Sequence, residues 1–165
     1  MKKLMILKIF LWILLALWMG VIFFMSAQTA VQSSELSGNT IETLLKMFYP
    51  GFNSFSFVKQ ADLIEGFQFV ARKGAHASIY AILGILSFCA VMLYKFKKRY
   101  KFLIALCISA LYAVSDEIHQ LFVAGRACEL RDILIDITGA LCGIFIVFVF
   151  YCLVLKLISK KMLKK

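Results

Sequence analysis

The sequence predicts an all-α, polytopic membrane protein: a four-helix transmembrane bundle with interfacial helices in its first outer loop. Three observations carry this reading. Of 165 residues, 62% are hydrophobic and only 17% charged, too few polar groups to cover a water-facing surface of that size. Four apolar runs each approach the ~20 residues that a helix needs to cross ~30 Å of hydrocarbon. The basic residues also segregate to one side of those runs, as in polytopic chains. A transmembrane barrel would need alternating segments of ~10 residues, whereas these runs are apolar all round. The length suits one domain, residues 1–165.

The first run, about residues 4–25, is broken only by Lys8. Met1-Lys-Lys before it resembles the start of a signal peptide. The apolar stretch nevertheless exceeds the usual ~7–15 residues, and Met25-Ser-Ala-Gln-Thr is a poor cleavage site. This run is expected to be retained as a span.

Residues 26–73 then form the outer loop. It is polar from Gln28 to Glu35, amphipathic across Thr40–Tyr49, and interrupted at Pro50-Gly51. A second piece, Phe52–Val70, carries Phe52, Phe55, Phe57, Phe67 and Phe69. Aromatic segments of this kind suit the membrane–water boundary. The loop reads as interfacial and without a site of its own, in preference to a substrate lid.

The remaining spans are expected at about 74–94, 102–123 and 133–155. Of the 19 Lys and Arg residues, 13 lie in the N-terminal flank (Lys2, Lys3, Lys8), the loop Lys95–Lys101 and the tail from Lys156 to Lys165, with no acid among them. The other side holds the remaining six cations and all nine acids. Both termini and the Lys95–Lys101 loop are therefore expected in the cytoplasm. The net charge of +10 is then a topology signal and an attraction to membrane lipids with anionic heads; no nucleic-acid partner is expected. Cys89, Cys107, Cys142 and Cys152 sit in apolar runs and Cys128 is alone in a polar loop, so no disulfide is expected.

The informative residues are ionisable ones at the outer ends of spans two to four. Arg72, His76 and Tyr80 are spaced by four and share a helical face, with Lys73 beside them. Span three ends Ser115-Asp-Glu-Ile-His-Gln120, with Asp116 and Gln120 on one face and Glu117 and His119 beside it. Span four begins Arg131-Asp132, and Asp136 follows one turn on. The uncharged part of span three, Phe102–Ser115, is 14 residues, about 21 Å of helix. Asp116–Gln120 must therefore enter the bilayer, where an ionised group near the centre costs roughly 2.5–3.5 kcal/mol. Such groups need partners, and Arg72, Lys73, Arg126 and Arg131 are the available cations. The expectation is a polar pocket opening outward.

Other readings of the same charges carry less. An ionic network can simply lock helices in register. A metal site would favour a His-x-x-x-His or Glu-x-x-His pair, and neither is present, so no metal or other cofactor is expected. Ser115 precedes Asp116, but there is no Gly-x-Ser-x-Gly elbow. Gly139-x-x-x-Gly143 reads as a close-packing surface for a neighbouring helix.

These residues carry a resemblance. Arg72-Lys73-x-x-His76-x-x-x-Tyr80-x-x-Leu83-Gly84 is similar to the second-helix motif of the VanZ-like family. Asp116-Glu117-x-x-Gln120, Gly125-Arg126, Asp132, Asp136, Gly139 and Gly143 resemble its third and fourth helices, and Ser26-Ala-Gln28 its Ser-x-Gln. Ala124 stands where members often have Pro. The resemblance implies a multi-pass protein of the bacterial cytoplasmic membrane, in a family named for resistance to the glycopeptide teicoplanin.

On that basis Arg72, Lys73 and Arg126 would bind an anionic headgroup. His76, Asp116 and Gln120, the candidates for any catalysis, would orient it or move a proton. Tyr80 and Glu117 would belong to the same ligand-binding set, and Asp132 and Asp136 would balance the cations. The partner would be a membrane lipid, a cell-wall precursor or an envelope protein. Three functions stay open, taken in this order: a binder of an envelope lipid, a membrane hydrolase or transferase acting on a lipid-linked phosphate, and a structural bundle.

Overall fold

The computed structural model describes residues 1–162 and is helical throughout its regular structure. Lys164 and Lys165 of the basic tail lie outside the described residues. Helix α1 covers Lys2–Ser26, α2 Ala30–Phe48, α3 Phe57–Met92, α4 Lys98–Gln120 and α5 Leu130–Met162. Helices α1, α3, α4 and α5 are long and apolar enough to cross a membrane. This is a membrane protein.

Two corrections concern the outer loop. The amphipathic piece starts ten residues earlier than Thr40, at Ala30. Thr29 caps it, its side chain accepting from Gln32 N while the Gln32 side chain accepts from Thr29 N. The second piece is not a separate interfacial segment but the start of α3, which runs unbroken for 36 residues. Ser56 caps α3, and no proline follows before its end, so Lys59, Asp62 and Glu65 change the polarity of the helix without breaking it. At 1.5 Å per residue α3 is about 54 Å long, well beyond a ~30 Å core. Its first turns pack against α2 to form a helical hairpin. Pro50-Gly51 does break the chain as expected, with Gly51 in the left-handed region at φ 77°.

Helices α1 and α4 run parallel to each other, and α3 and α5 run parallel in the opposite direction. The α3–α5 contact is built on small residues. A Cβ on Gly139 would overlap the Ala77 carbonyl, one on Gly143 that of Ala81, and one on Gly84 that of Ala140. This is the close approach predicted for Gly139 and Gly143. Leu15, Ile22, Tyr80, Leu83, Ala113 and Ala140 form the main buried cluster. Near the other end, Phe88, Ala105 and Ile144 form a second.

At that end Lys101, counted among the loop cations, is instead 6% exposed. Its Nζ donates to Met92 O at 2.7 Å and to Tyr151 OH at 2.9 Å, closing the end of α3. The ionisable residues of spans two to four gather at the opposite end, where α1 and α4 finish and α5 begins.

Candidate functional site

The site begins with Asp116 in the last turns of α4. Ser26 ends α1 at the same level, because the parallel helices are held in register by Tyr112 OH donating to Met19 O and by His119 stacking on Phe23 at 4.3 Å. Asp116 Oδ2 accepts from Ser26 Oγ at 2.8 Å and, from α3, from Tyr80 OH at 3.1 Å. Asp116 Oδ1 and the nearby Gln120 Nε2 are buried with no hydrogen-bond partner among the described residues.

In front of these groups lies a cavity of about 310 Å³. Its buried side is Ser26, Tyr80, Asp116 and Gln120. Arg72 and His76 of α3 and Arg126 of the α4–α5 connection, all half-buried, line it as well. The remaining wall is mainly apolar, including Ile22, Met25, Leu36, Ile41 and Ile79. Arg126 Nε donates to Gln28 O at 3.2 Å, and Arg72 has no acidic partner among the described residues.

Helix α2 closes one side of the cavity with Ser33, Leu36, Ser37, Thr40 and Ile41. Gln68 of α3 holds it there: Nε2 donates to Ser34 O at 2.6 Å and Ser37 Oγ at 2.7 Å. Ala30 N donates to Ala124 O at 3.2 Å, tying the start of α2 to the turn before Arg126. Gly125 makes that turn at φ 74° without the proline that the resemblance leads one to expect at 124. The segment between α1 and α3 is thus a wall of the cavity, not a bystander.

A second line of charge lies behind the cavity, between α3 and α5. Lys73 pairs with Asp132, and His76 Nδ1 lies 3.5 Å from Asp136 Oδ1. The glycine contact one turn deeper brings the two backbones near enough for these pairs to meet. Glu117 is fully buried and pairs with no cation among the described residues. Its Oε2 accepts from Glu129 N at 3.1 Å, at the start of α5, where the helix leaves backbone donors free and favours negative charge. The expectation that Asp116 and Glu117 pair with arginine or lysine is therefore corrected. Hydroxyls hold Asp116 and a backbone N–H holds Glu117, while Arg131 pairs with Glu129 in an exposed position.

The family model described as VanZ/LLP1 matches residues 10–151. The chain belongs to the VanZ/LLP1 family. The matched stretch contains every residue that lines the cavity. No curated protein and no solved structure matches the chain.

In this VanZ/LLP1 protein, six of the ten residues expected at the site line one cavity: Arg72, His76, Tyr80, Asp116, Gln120 and Arg126. Lys73, Glu117, Asp132 and Asp136 do not line it. They fix α3, α4 and α5 against one another from behind. Ser33, Ser37 and Thr40 were not expected there. Their spacing of four and three along α2 was a usable signal, since it puts three hydroxyls on one helical face. Gln68 was another, a lone amide between Phe67 and Phe69 that needs a partner once buried.

Proposed function

We propose that this VanZ/LLP1 protein lies in the bacterial cytoplasmic membrane with both termini inside and binds an anionic lipid or lipid-linked envelope precursor in the cavity, from the outer side. The observation that carries the proposal is a pair of half-buried arginines, Arg72 and Arg126, on a mainly apolar cavity, with neither salt-bridged to a carboxylate among the described residues. Guanidinium groups in such a setting call for an anion, and phosphate matches their paired donors. The apolar wall suits the start of an acyl or prenyl chain. The segregation of cations supports the orientation. A protein that holds an envelope precursor there would alter a glycopeptide's access to its target, which is the route to teicoplanin that the resemblance suggests.

Native mass spectrometry after incubation with bacterial envelope lipids tests the proposal. The wild type is expected to retain a phosphate-bearing lipid that the Arg72→Ala/Arg126→Ala variant loses. Equal retention by both, or by neither while both stay folded, would remove it.

One observation favours a second reading, a membrane-embedded hydrolase or transferase. His76 presents Nδ1 to Asp136 and lines the cavity, leaving Nε2 available for proton transfer to or from a bound ligand. Progressive change in the mass of the retained lipid, abolished by His76→Gln, would move the function to this reading.

A further inference from the structure

Asp116 is 3% exposed and lines the cavity, and its two oxygens are used unequally. Both protein donors, Ser26 Oγ and Tyr80 OH, go to Oδ2, while Oδ1 accepts from nothing among the described residues. Among the described residues no Lys, Arg or His lies within ion-pair distance of it. A carboxylate so buried is costly without a counter-charge. The arginines that could supply one leave Asp116 unpaired and line the same cavity. A ligand that brought only an anion to those arginines would add repulsion at Asp116.

We propose that the ligand is an amphiphile whose phosphate carries a primary ammonium group, as in a phosphoethanolamine-type headgroup. The phosphate is held by Arg72 and Arg126, the ammonium donates to Asp116 Oδ1, and Gln120 Nε2 donates to a ligand oxygen. The inference rests on the phosphate-binding part of the reading above and departs from it in net charge, the headgroup being zwitterionic instead of anionic. An ammonium supplies both things that Asp116 lacks, a positive charge and an N–H donor. A hydroxylated headgroup supplies only the donor, and a quaternary ammonium only the charge. At about 310 Å³ the cavity lies at the small end of ligand pockets. It suits a headgroup and the first part of the chains, with the rest left in the bilayer.

The test is a competition on the purified full-length protein, read by native mass spectrometry. Equal amounts of dioleoyl phosphatidylethanolamine, phosphatidylcholine and phosphatidylglycerol keep the chains constant and vary only the headgroup. Phosphatidylethanolamine is expected to be retained about tenfold over each of the others, the worth of one charge-assisted hydrogen bond. Asp116→Asn is expected to bring the three to near-equal retention, since the amide keeps the shape and loses the charge. If the wild type retains all three equally and Arg72→Ala/Arg126→Ala loses them all, the binding reading stands and the ammonium does not. If no headgroup is retained, both fall. Should Asp116→Asn fail to fold, the wild-type ratio still decides, a value near one overturning the inference.

Discussion

Gly139 of α5 packs against Ala77 of α3 so closely that a single added Cβ would meet the Ala77 carbonyl. That contact, repeated at Gly143 on Ala81 and inverted at Ala140 on Gly84, sets the distance at which Asp132 and Asp136 face Lys73 and His76. Membrane helices gain little from the hydrophobic effect against one another, so close backbone packing carries much of the association. Gly139→Ala and Gly143→Ala are each expected to destabilise the protein by about 3 kcal/mol or more, at the upper end of overpacking costs. Gly66→Ala on α3, where the new methyl meets nothing, should be neutral or stabilising by up to ~1 kcal/mol. Thermal unfolding of the three variants in one detergent checks this, and equal effects would contradict the packing account.

The Lys73–Asp132 pair supports the cavity from outside it. Both side chains are largely buried, at 23% and 17% exposure, so each single alanine variant should cost more than a surface pair would. A double-mutant cycle is expected to show coupling of about 1–3 kcal/mol, against the ~0.5 kcal/mol of an exposed pair such as Lys46–Glu42. Coupling near zero would mean that the pair does not hold α3 to α5.

Gln68 is expected to control α2 alone. Gln68→Ala removes its amide donors from Ser34 O and Ser37 Oγ and should lower the protection of residues 30–48 by about 1–2 kcal/mol. Exchange in α4 and α5 should stay unchanged. Hydrogen exchange resolved by peptide measures both. Uniform loosening of every helix would assign Gln68 a global role and not that of a clamp.

These contacts show what the sequence made legible and what it did not. Arg72, His76, Tyr80, Asp116, Gln120 and Arg126 were legible because polar and ionisable groups at the ends of apolar runs are conspicuous and must meet at one depth. The glycines were legible for a similar reason, their spacing on one face. The start of α3 at Phe57 was not, because hydropathy marks where a helix enters lipid and not where it begins. The partners of Asp116 and Glu117 were also hidden. Charge counting points acids toward cations, but here the donors are hydroxyls and a backbone N–H. The role of α2 depended on its folding back along α3, where Gln68 fastens it, and on the Ala30–Ala124 contact that ties its start to the α4–α5 connection.

Orientation has its own check. Cys128 is exposed in the α4–α5 connection, on the side assigned to the outside. In intact cells it is expected to react with a membrane-impermeant maleimide, whereas Lys97→Cys in a Cys128→Ser background should react only after permeabilisation. Thiols on the lipid-facing helix surfaces, such as Cys107 and Cys142, should stay unlabelled because thiolate does not form in hydrocarbon. The reverse pattern for Cys128 and position 97 would invert the topology.

Photocrosslinking shows whether the cavity between α1, α2, α3 and α4 holds a lipid by its phosphate. A phosphatidylethanolamine with a photoreactive group near its glycerol backbone is bound to the full-length protein, irradiated, and mapped by peptide mass spectrometry. Adducts are expected to concentrate on residues 33–41 and 71–80, to be lost in Arg72→Ala/Arg126→Ala and to fall when an excess of unlabelled lipid is present. Adducts spread evenly over the outward faces of α1 and α5, unchanged by the arginine substitutions, would mean that the cavity is not a lipid site.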